Sequence, residues 1–123
     1  MTDETTDALI TELYRSAAAK DDKWQQLLAD DVSFCIGVKK LFTGKESFVK
    51  AYTNFLQSVE SLEVRRVFTD GDAVCAIVGY TYVSPKGAHM QQDDAEVWSV
   101  VDGKIANFTL YYDQAEYRNF MQQ

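Results

Sequence analysis

Asp94 and Glu96 stand one residue apart in the stretch Gln92-Asp93-Asp94-Ala95-Glu96-Val97-Trp98, where polar and apolar residues alternate. On a β-strand every second side chain points the same way, so Gln92, Asp94, Glu96, Trp98 and Val100 share a face. A carboxyl group held among apolar side chains is disfavoured in its charged form. Its pKa rises, and it becomes able to give or take a proton near neutral pH. Two such groups on one strand face can divide the work, one ionised as base and one protonated as acid. The same pair also suits a solvated strand edge, and Asp93-Asp94 has that character, because like charges prefer water to a pocket.

The other residue types able to do chemistry are sparse. His89 is the only histidine and follows the turn Ser84-Pro85-Lys86-Gly87, which places it at the surface or rim of the fold. Cys35 and Cys75 lie in apolar, strand-like stretches without a CxxC spacing. With one histidine they make a poor metal site, and two thiols make no disulfide framework. They read as buried small side chains of a reduced, cytoplasmic protein. No phosphate-binding glycine loop and no metal-ligand cluster is present, so neither cofactor nor metal is expected. Twelve basic residues against nineteen acidic ones give a net charge of −7. Lys39-Lys40 and Arg65-Arg66 are isolated pairs rather than a stripe, which argues against nucleic-acid or anionic-membrane partners. No apolar run approaches the roughly 20 residues of a membrane-spanning helix. The segment from Met1 to Asp7 carries three acids and no apolar block, unlike a secretory signal.

The elements that must position the two carboxyls can be read from periodicity. A chain of 123 residues that is 46% hydrophobic fits a single domain, 1–123, with a proper core. Ile10, Leu13, Tyr14 and Ala17 fall on one face of a helix from about Thr6 to Lys20. Trp24, Leu27 and Leu28 give the inner face of a short second helix, and Val32 to Ile36 is β-prone. Thr43-Gly44-Lys45-Glu46 has the form of a capping box opening a third helix, with Phe48, Ala51, Tyr52, Phe55 and Val59 facing inward. The period then changes to two. Strands are expected over Leu62 to Thr69, Ala73 to Val83, His89 to Val101 and Ile105 to Tyr112, with turns at Asp70-Gly71-Asp72 and Asp102-Gly103. Asp113 to Glu116 can cap a terminal helix that buries Tyr117 and Phe120. Helices followed by a meander of long antiparallel strands indicate an α+β domain with helices on one face of a curved sheet.

Four stretches taken together resemble the SnoaL-like and ketosteroid-isomerase-like branch of the NTF2-like superfamily. They are the Tyr14 helix leading into WQQLLADDVSF, then FTGKESFVKAY, then FTDGDAVCAIVGYTY, and finally EVWSVVDGKIANFTLYYD. The resemblance runs from about Leu9 to Tyr117. It implies an NTF2-like (cystatin-like) cone, with three N-terminal helices packed in a curved antiparallel sheet around a deep apolar pocket. It further implies that Tyr14, Phe34, Ile36, Tyr52, Phe55, Val78, Tyr80, Trp98, Phe108, Leu110 and Tyr112 line that pocket with Asp94 and Glu96. By the same similarity Glu96 matches a cavity acid that pairs with a tyrosine on the first helix, here Tyr14. In ketosteroid isomerases such an acid is kept protonated as a hydrogen-bond donor.

The sequence departs from that isomerase at Ile36, which stands where the family has its general-base aspartate. The Asp-Arg-Asp arrangement of limonene epoxide hydrolases is also missing, because Arg65 and Arg66 lie on a strand outside the cavity. Two readings follow. One is a cofactor-free isomerase, cyclase or dehydratase acting on a small apolar carbonyl compound, with Glu96 as acid and base, Tyr14 as donor and Asp94 as auxiliary. The other is a noncatalytic ligand-binding or dimerisation module. Cys75, Ile77 and Gly79, with Val97 and Val101, would make the convex face apolar as well, and a homodimer through that face is expected.

Overall fold

A computed structural model describes residues 2–36 and 41–123 of the chain, and the Lys39-Lys40 pair lies outside them. Helix α1 (Asp3–Ala19) begins three residues before the periodicity does. Thr2 caps it by accepting from the Thr5 N–H, and Asp3 and Glu4 favour the positive end of the helix dipole. Lys20 ends it in a left-handed conformation, φ 59°, with its N–H on the Ala17 and Ser16 carbonyls. The buried stripe Ile10, Leu13, Tyr14 and Ala17 is the one read from the sequence.

The second helix is a single 3-10 turn, Lys23–Leu27. Leu28 opens strand β1 (Leu28–Ile36) instead of closing a helix, and it is buried there. A short strand β2 (Leu41–Thr43) follows, so Thr43 is extended. Helix α2 (Lys45–Gln57) is then capped at Gly44, with no side-chain hydrogen bond, and the expected capping box does not form. Phe48 and Tyr52 are its buried residues, while Val59 already belongs to strand β3 (Val59–Asp70). Strands β4 (Ala73–Val83) and β5 (His89–Val101) have the expected bounds, and β6 (Lys104–Tyr111) is shifted by one residue. Helix α3 (Gln114–Met121) is capped by Asp113, whose carboxylate accepts from the Glu116 N–H at 3.0 Å.

The six strands form one sheet in the order β2-β1-β6-β5-β4-β3. From β3 to β6 it is the antiparallel meander that alternation indicates. At its other side β1 pairs with β6 in parallel, a connection that only the intervening chain between β1 and β6 makes possible. Register shifts within β3, between Ser99 and Val100, and between Leu28 and Ser33 bend the sheet. Its concave face buries Val74, Ala76, Val78, Tyr80 and Tyr82 from β4. Trp98, Val100, Phe108 and Leu110 join them from β5 and β6, packed with Leu13, Trp24, Phe48 and Tyr52. Each fully buried large apolar side chain contributes roughly 1.5–3 kcal/mol, which makes this face the main source of stability. Cys35 and Cys75 sit on the other face and are half-buried rather than buried.

Candidate functional site

Alternation along β5 carries Glu96 into the concave side, where it is 0% exposed. Its two oxygens are each bonded by a tyrosine. The Tyr14 hydroxyl of α1 donates to Oε1 at 2.5 Å, and the Tyr80 hydroxyl of β4 donates to Oε2 at 2.7 Å. Trp98 Nε1 donates in turn to the Tyr14 oxygen at 2.8 Å. Burial pushes the Glu96 carboxyl up to about 7, although the two tyrosine bonds pull the other way. The same burial, with the carboxylate beside them, holds the Tyr14 and Tyr80 hydroxyls well above their ordinary range. These groups therefore share protons near neutral pH through Glu96, not through the phenols.

Tyr52 of α2 is also buried, and its hydroxyl has no partner of good hydrogen-bond geometry, although the Tyr80 hydroxyl lies beside it. Burial first, and then Glu96, raise its pKa, and the Tyr80 hydroxyl lowers it. Tyr52 lines an apolar cavity with Phe34, Ile36, Phe48, Phe55, Phe108 and Leu110. Of the residues that the resemblance assigns to a pocket, Phe34, Ile36, Tyr52, Phe55, Phe108 and Leu110 border this space, and Tyr14, Val78, Tyr80, Trp98, Tyr112, Asp94 and Glu96 do not. The space is about 10 Å³, the room of one water molecule, because the rings fill it. Phe48 and Tyr52 stack with centroids 5.4 Å apart, and Trp98 and Phe108 approach to 4.1 Å.

Asp94 is 1% exposed, so the solvated reading of this residue is corrected. The alternation that buries Glu96 buries Asp94 too, while Asp93 turns outward and pairs with Arg65 at 2.8 Å. Asp94 Oδ2 accepts from the Tyr82 hydroxyl at 2.6 Å, and Oδ1 has no partner. Burial lifts this carboxyl to about 7 as well, against the Tyr82 bond and with help from Asp93 and Glu116. Val78 is packed in the core, and Tyr112 is half-buried against Tyr117 at 5.7 Å. His89 stands exposed at the rim, where its Nε2 meets Glu60 at 2.5 Å.

Gln92 shares the face of Asp94 as alternation indicates, and Tyr82, which was not named from the sequence, was legible as the next inward residue after Tyr80. Tyr117 is half-buried rather than buried, and α3 docks it through a 3.0 Å bond with Ser58 Oγ and a ring contact with Tyr82. Among the described residues no three His, Cys, Asp or Glu side chains come together as a metal site. No helix among them is long and apolar enough to cross a membrane.

The sequence matches the SnoaL-like domain family over residues 10–108. No curated protein matches it. A protein assigned as a SnoaL-like polyketide cyclase from Jannaschia sp. CCS1 has a similar structure, with a TM-score of 0.86 at 14% identity, covering 97% of this chain and 92% of that one. An NTF2-like protein of unknown function from Burkholderia pseudomallei K96243 superposes with a TM-score of 0.85 at 13% identity, over 97% and 98% of the two chains. A de novo designed protein with a curved β-sheet reaches a TM-score of 0.81 at 25% identity, over 99% and 95%. The fold is thus NTF2-like, as the sequence resemblance implies.

Proposed function

We propose that this chain, which belongs to the SnoaL-like domain family, holds a small apolar carbonyl compound in its cone, the rings that fill the cavity parting to admit it, and moves a proton on it through Glu96. The observation that carries this reading is the fully buried Glu96 carboxyl bonded by Tyr14 and Tyr80, with the Tyr52 hydroxyl, which has no partner of good geometry, bordering the apolar cavity. A ligand carbonyl supplies the well-placed acceptor that the Tyr52 hydroxyl lacks.

The chemistry follows from proton counting. Ionised Glu96 accepts from both Tyr14 and Tyr80. When it takes a proton from the carbon next to the ligand carbonyl, one of its oxygens becomes a hydroxyl. The tyrosine there must turn its own O–H elsewhere, and the developing enolate oxygen is the acceptor at hand. Return of the proton at another carbon completes an isomerisation, and loss of a neighbouring hydroxyl as water completes a dehydration. Attack of the enolate carbon on a second carbonyl closes a ring. The last outcome is the one that the assignment of the Jannaschia protein as a polyketide cyclase brings to this chain. Each route balances with a proton alone.

Acetophenone tests the proposal, since it is small and does not titrate. Its binding should quench Trp98 fluorescence and weaken as pH rises through 7, where Glu96 loses the proton that frees a tyrosine for the ligand. In deuterated solvent the protein should catalyse exchange of the acetophenone methyl hydrogens. Glu96→Gln should keep binding and lose exchange. A second reading, a binding module without chemistry, is favoured by the commitment of both Glu96 oxygens and by Ile36 at the base position. Binding without exchange in the unmodified protein would select it.

A further inference from the structure

The Tyr80 hydroxyl has two polar neighbours. It donates to Glu96 Oε2 at 2.7 Å, and the Tyr52 hydroxyl lies beside it without a bond of good geometry. Of Glu96, Tyr80 and Tyr52, only Tyr52 borders the apolar cavity. Its ring meets Trp24 edge-on at 4.9 Å and stacks on Phe48 at 5.4 Å and Phe55 at 6.0 Å. The ring is therefore fixed, and what is free to turn is the hydroxyl hydrogen. A phenol has one hydrogen to give and lone pairs to receive another, and it rotates to suit its partners.

The proton count on Glu96 decides which way each hydrogen points. Ionised Glu96 only accepts, so Tyr80 must donate to it, and the Tyr80 oxygen is left as an acceptor. Tyr52 then donates to Tyr80 and turns its lone pairs to the cavity. Protonated Glu96 reverses the chain. Its O–H donates to Tyr80, Tyr80 donates to Tyr52, and the Tyr52 hydrogen points into the cavity. Tyr14 offers no second branch: its oxygen accepts from Trp98 Nε1, and its hydrogen is bonded to Glu96 Oε1. The Glu96 proton therefore belongs on Oε2, facing Tyr80, which has another acceptor to turn to. Hydrogen bonds in such a chain polarise one another, and that couples its two ends.

From this juxtaposition we infer that Tyr80 relays the protonation of Glu96 to Tyr52, so that the cavity presents a hydrogen-bond donor when Glu96 is protonated and an acceptor when it is ionised. The inference rests on the ligand-binding reading above and deepens it: a ketone suits the protonated state, and an N–H or O–H compound suits the ionised one. Tyr80 touches no ligand and acts as a positioning residue. Every tyrosine keeps its proton, and only the directions of the O–H bonds change.

Acetophenone accepts hydrogen bonds without donating, and indole donates one through its N–H. Both stay uncharged across the neutral range, so calorimetric titration with each is the test. The groups facing Glu96 are Tyr14 from α1, Tyr52 from α2, Tyr80 and Tyr82 from β4, and Asp94 on its own strand, while β6 sets Leu110 opposite it. Glu96 titrates at about 7, and burial keeps the tyrosines protonated throughout. Between pH 5.5 and 8.5 the acetophenone affinity should fall about fivefold and the indole affinity rise about fivefold, the net worth of one hydrogen bond. Tyr80→Phe and Glu96→Gln should flatten both slopes. Asp94→Asn should keep them and move their crossing to lower pH, because Asp94 helps to raise Glu96. Parallel slopes, opposite slopes that survive Tyr80→Phe or Glu96→Gln, or slopes lost in Asp94→Asn would overturn the relay. The tyrosine Raman doublet of Tyr52, taken as the unmodified protein minus Tyr52→Phe, reads the relay without a ligand. It should change from acceptor to donor as pH rises, and an unchanged doublet would overturn the inference. Failure of both probes to bind would overturn the ligand-binding reading, and the doublet would then decide the relay by itself.

Discussion

The Tyr14 hydroxyl on α1 and Glu96 Oε1 on β5 are 2.5 Å apart, although 82 positions separate them in the chain. This bond ties the first helix to the middle of the sheet, and Trp98 Nε1 completes it from the other side of the Tyr14 oxygen. Tyr14→Phe keeps the ring that meets Trp98 edge-on but removes the atom that satisfies two buried groups. Each orphaned group costs about 1–3 kcal/mol, so a loss of roughly 2–4 kcal/mol is expected in urea unfolding. The Glu96 pKa should rise further, because the Tyr14 bond lowers it. A loss below about 0.5 kcal/mol with an unmoved Glu96 titration would contradict this account.

Stability should fall as pH rises from 5 to 8. Glu96 and Asp94 have folded-state pKa values raised from 4.5 and 3.8 to about 7. Between those limits the folded chain holds more protons than the unfolded one, so raising the pH favours unfolding until the folded groups have titrated. One pKa unit corresponds to about 1.4 kcal/mol, which puts the Glu96 share at about 3 kcal/mol. The Asp94 share is not simply added, because each carboxyl acts on the other. Glu12 and Asp21 are lowered, so their contributions are lost only at more acid pH. Urea midpoints at pH 5 and 8 test this: the difference should be clear in the unmodified protein and smaller in Glu96→Gln.

Legibility from sequence followed the range of the interactions. The inward rows of β4 and β5 were readable because a strand fixes side-chain direction locally, and Tyr80, Asp94, Glu96 and Trp98 all lie where alternation puts them. The parallel pairing of β1 with β6 was not readable, since no local pattern names a partner more than seventy residues away. Thr43 shows a local rule overridden: pairing with Ser33 in β2 takes the residue that would have capped α2. At the site, the tyrosine partner of Glu96 came from the family resemblance. The burial of Asp94 went against the expectation for adjacent acids, because the Tyr82 hydroxyl bonds it and burial lifts its pKa, which favours the uncharged form. The closed cavity reflects ring packing that residue types cannot give.

Two glycines should respond differently to alanine. Gly103 follows Asp102 in the β5–β6 turn, and both have positive φ, 77° and 51°. This is the geometry of a tight hairpin turn, and a Cβ on Gly103 meets nothing within 4 Å. Gly103→Ala should therefore cost only the left-handed backbone strain, roughly 1–2 kcal/mol. Gly79 has no such φ, but its Cβ would lie 2.5 Å from Arg65 Nε and Nη2. Arg65 is the free end of a flexible, partly exposed side chain, so Gly79→Ala should displace it from Asp93 at a cost under about 1 kcal/mol. Thermal unfolding of both variants checks the order, and a larger loss for Gly79→Ala would reverse it.

The convex face of the sheet carries Cys75, Ile77 and Val97 half-buried, with Phe68 50% and Val101 56% exposed. The helices pack on the other face, so this apolar surface has only solvent or a partner to meet. The charged end of the face holds both signs. Arg65 lies between Glu63 and Asp93, and Arg66 rests on the Phe68 ring at 4.7 Å. Two copies related by a two-fold axis can therefore meet there without like-charge repulsion, and we propose that a second copy covers this face. Sedimentation at micromolar concentration should give twice the 14.0 kDa chain mass. Ile77→Lys places a cation in the centre of the apolar patch and should yield a soluble monomer with an unchanged circular dichroism spectrum. A mass of one chain for the unmodified protein, or an undisturbed dimer in Ile77→Lys, would show that the face is left to solvent or that the copies meet elsewhere.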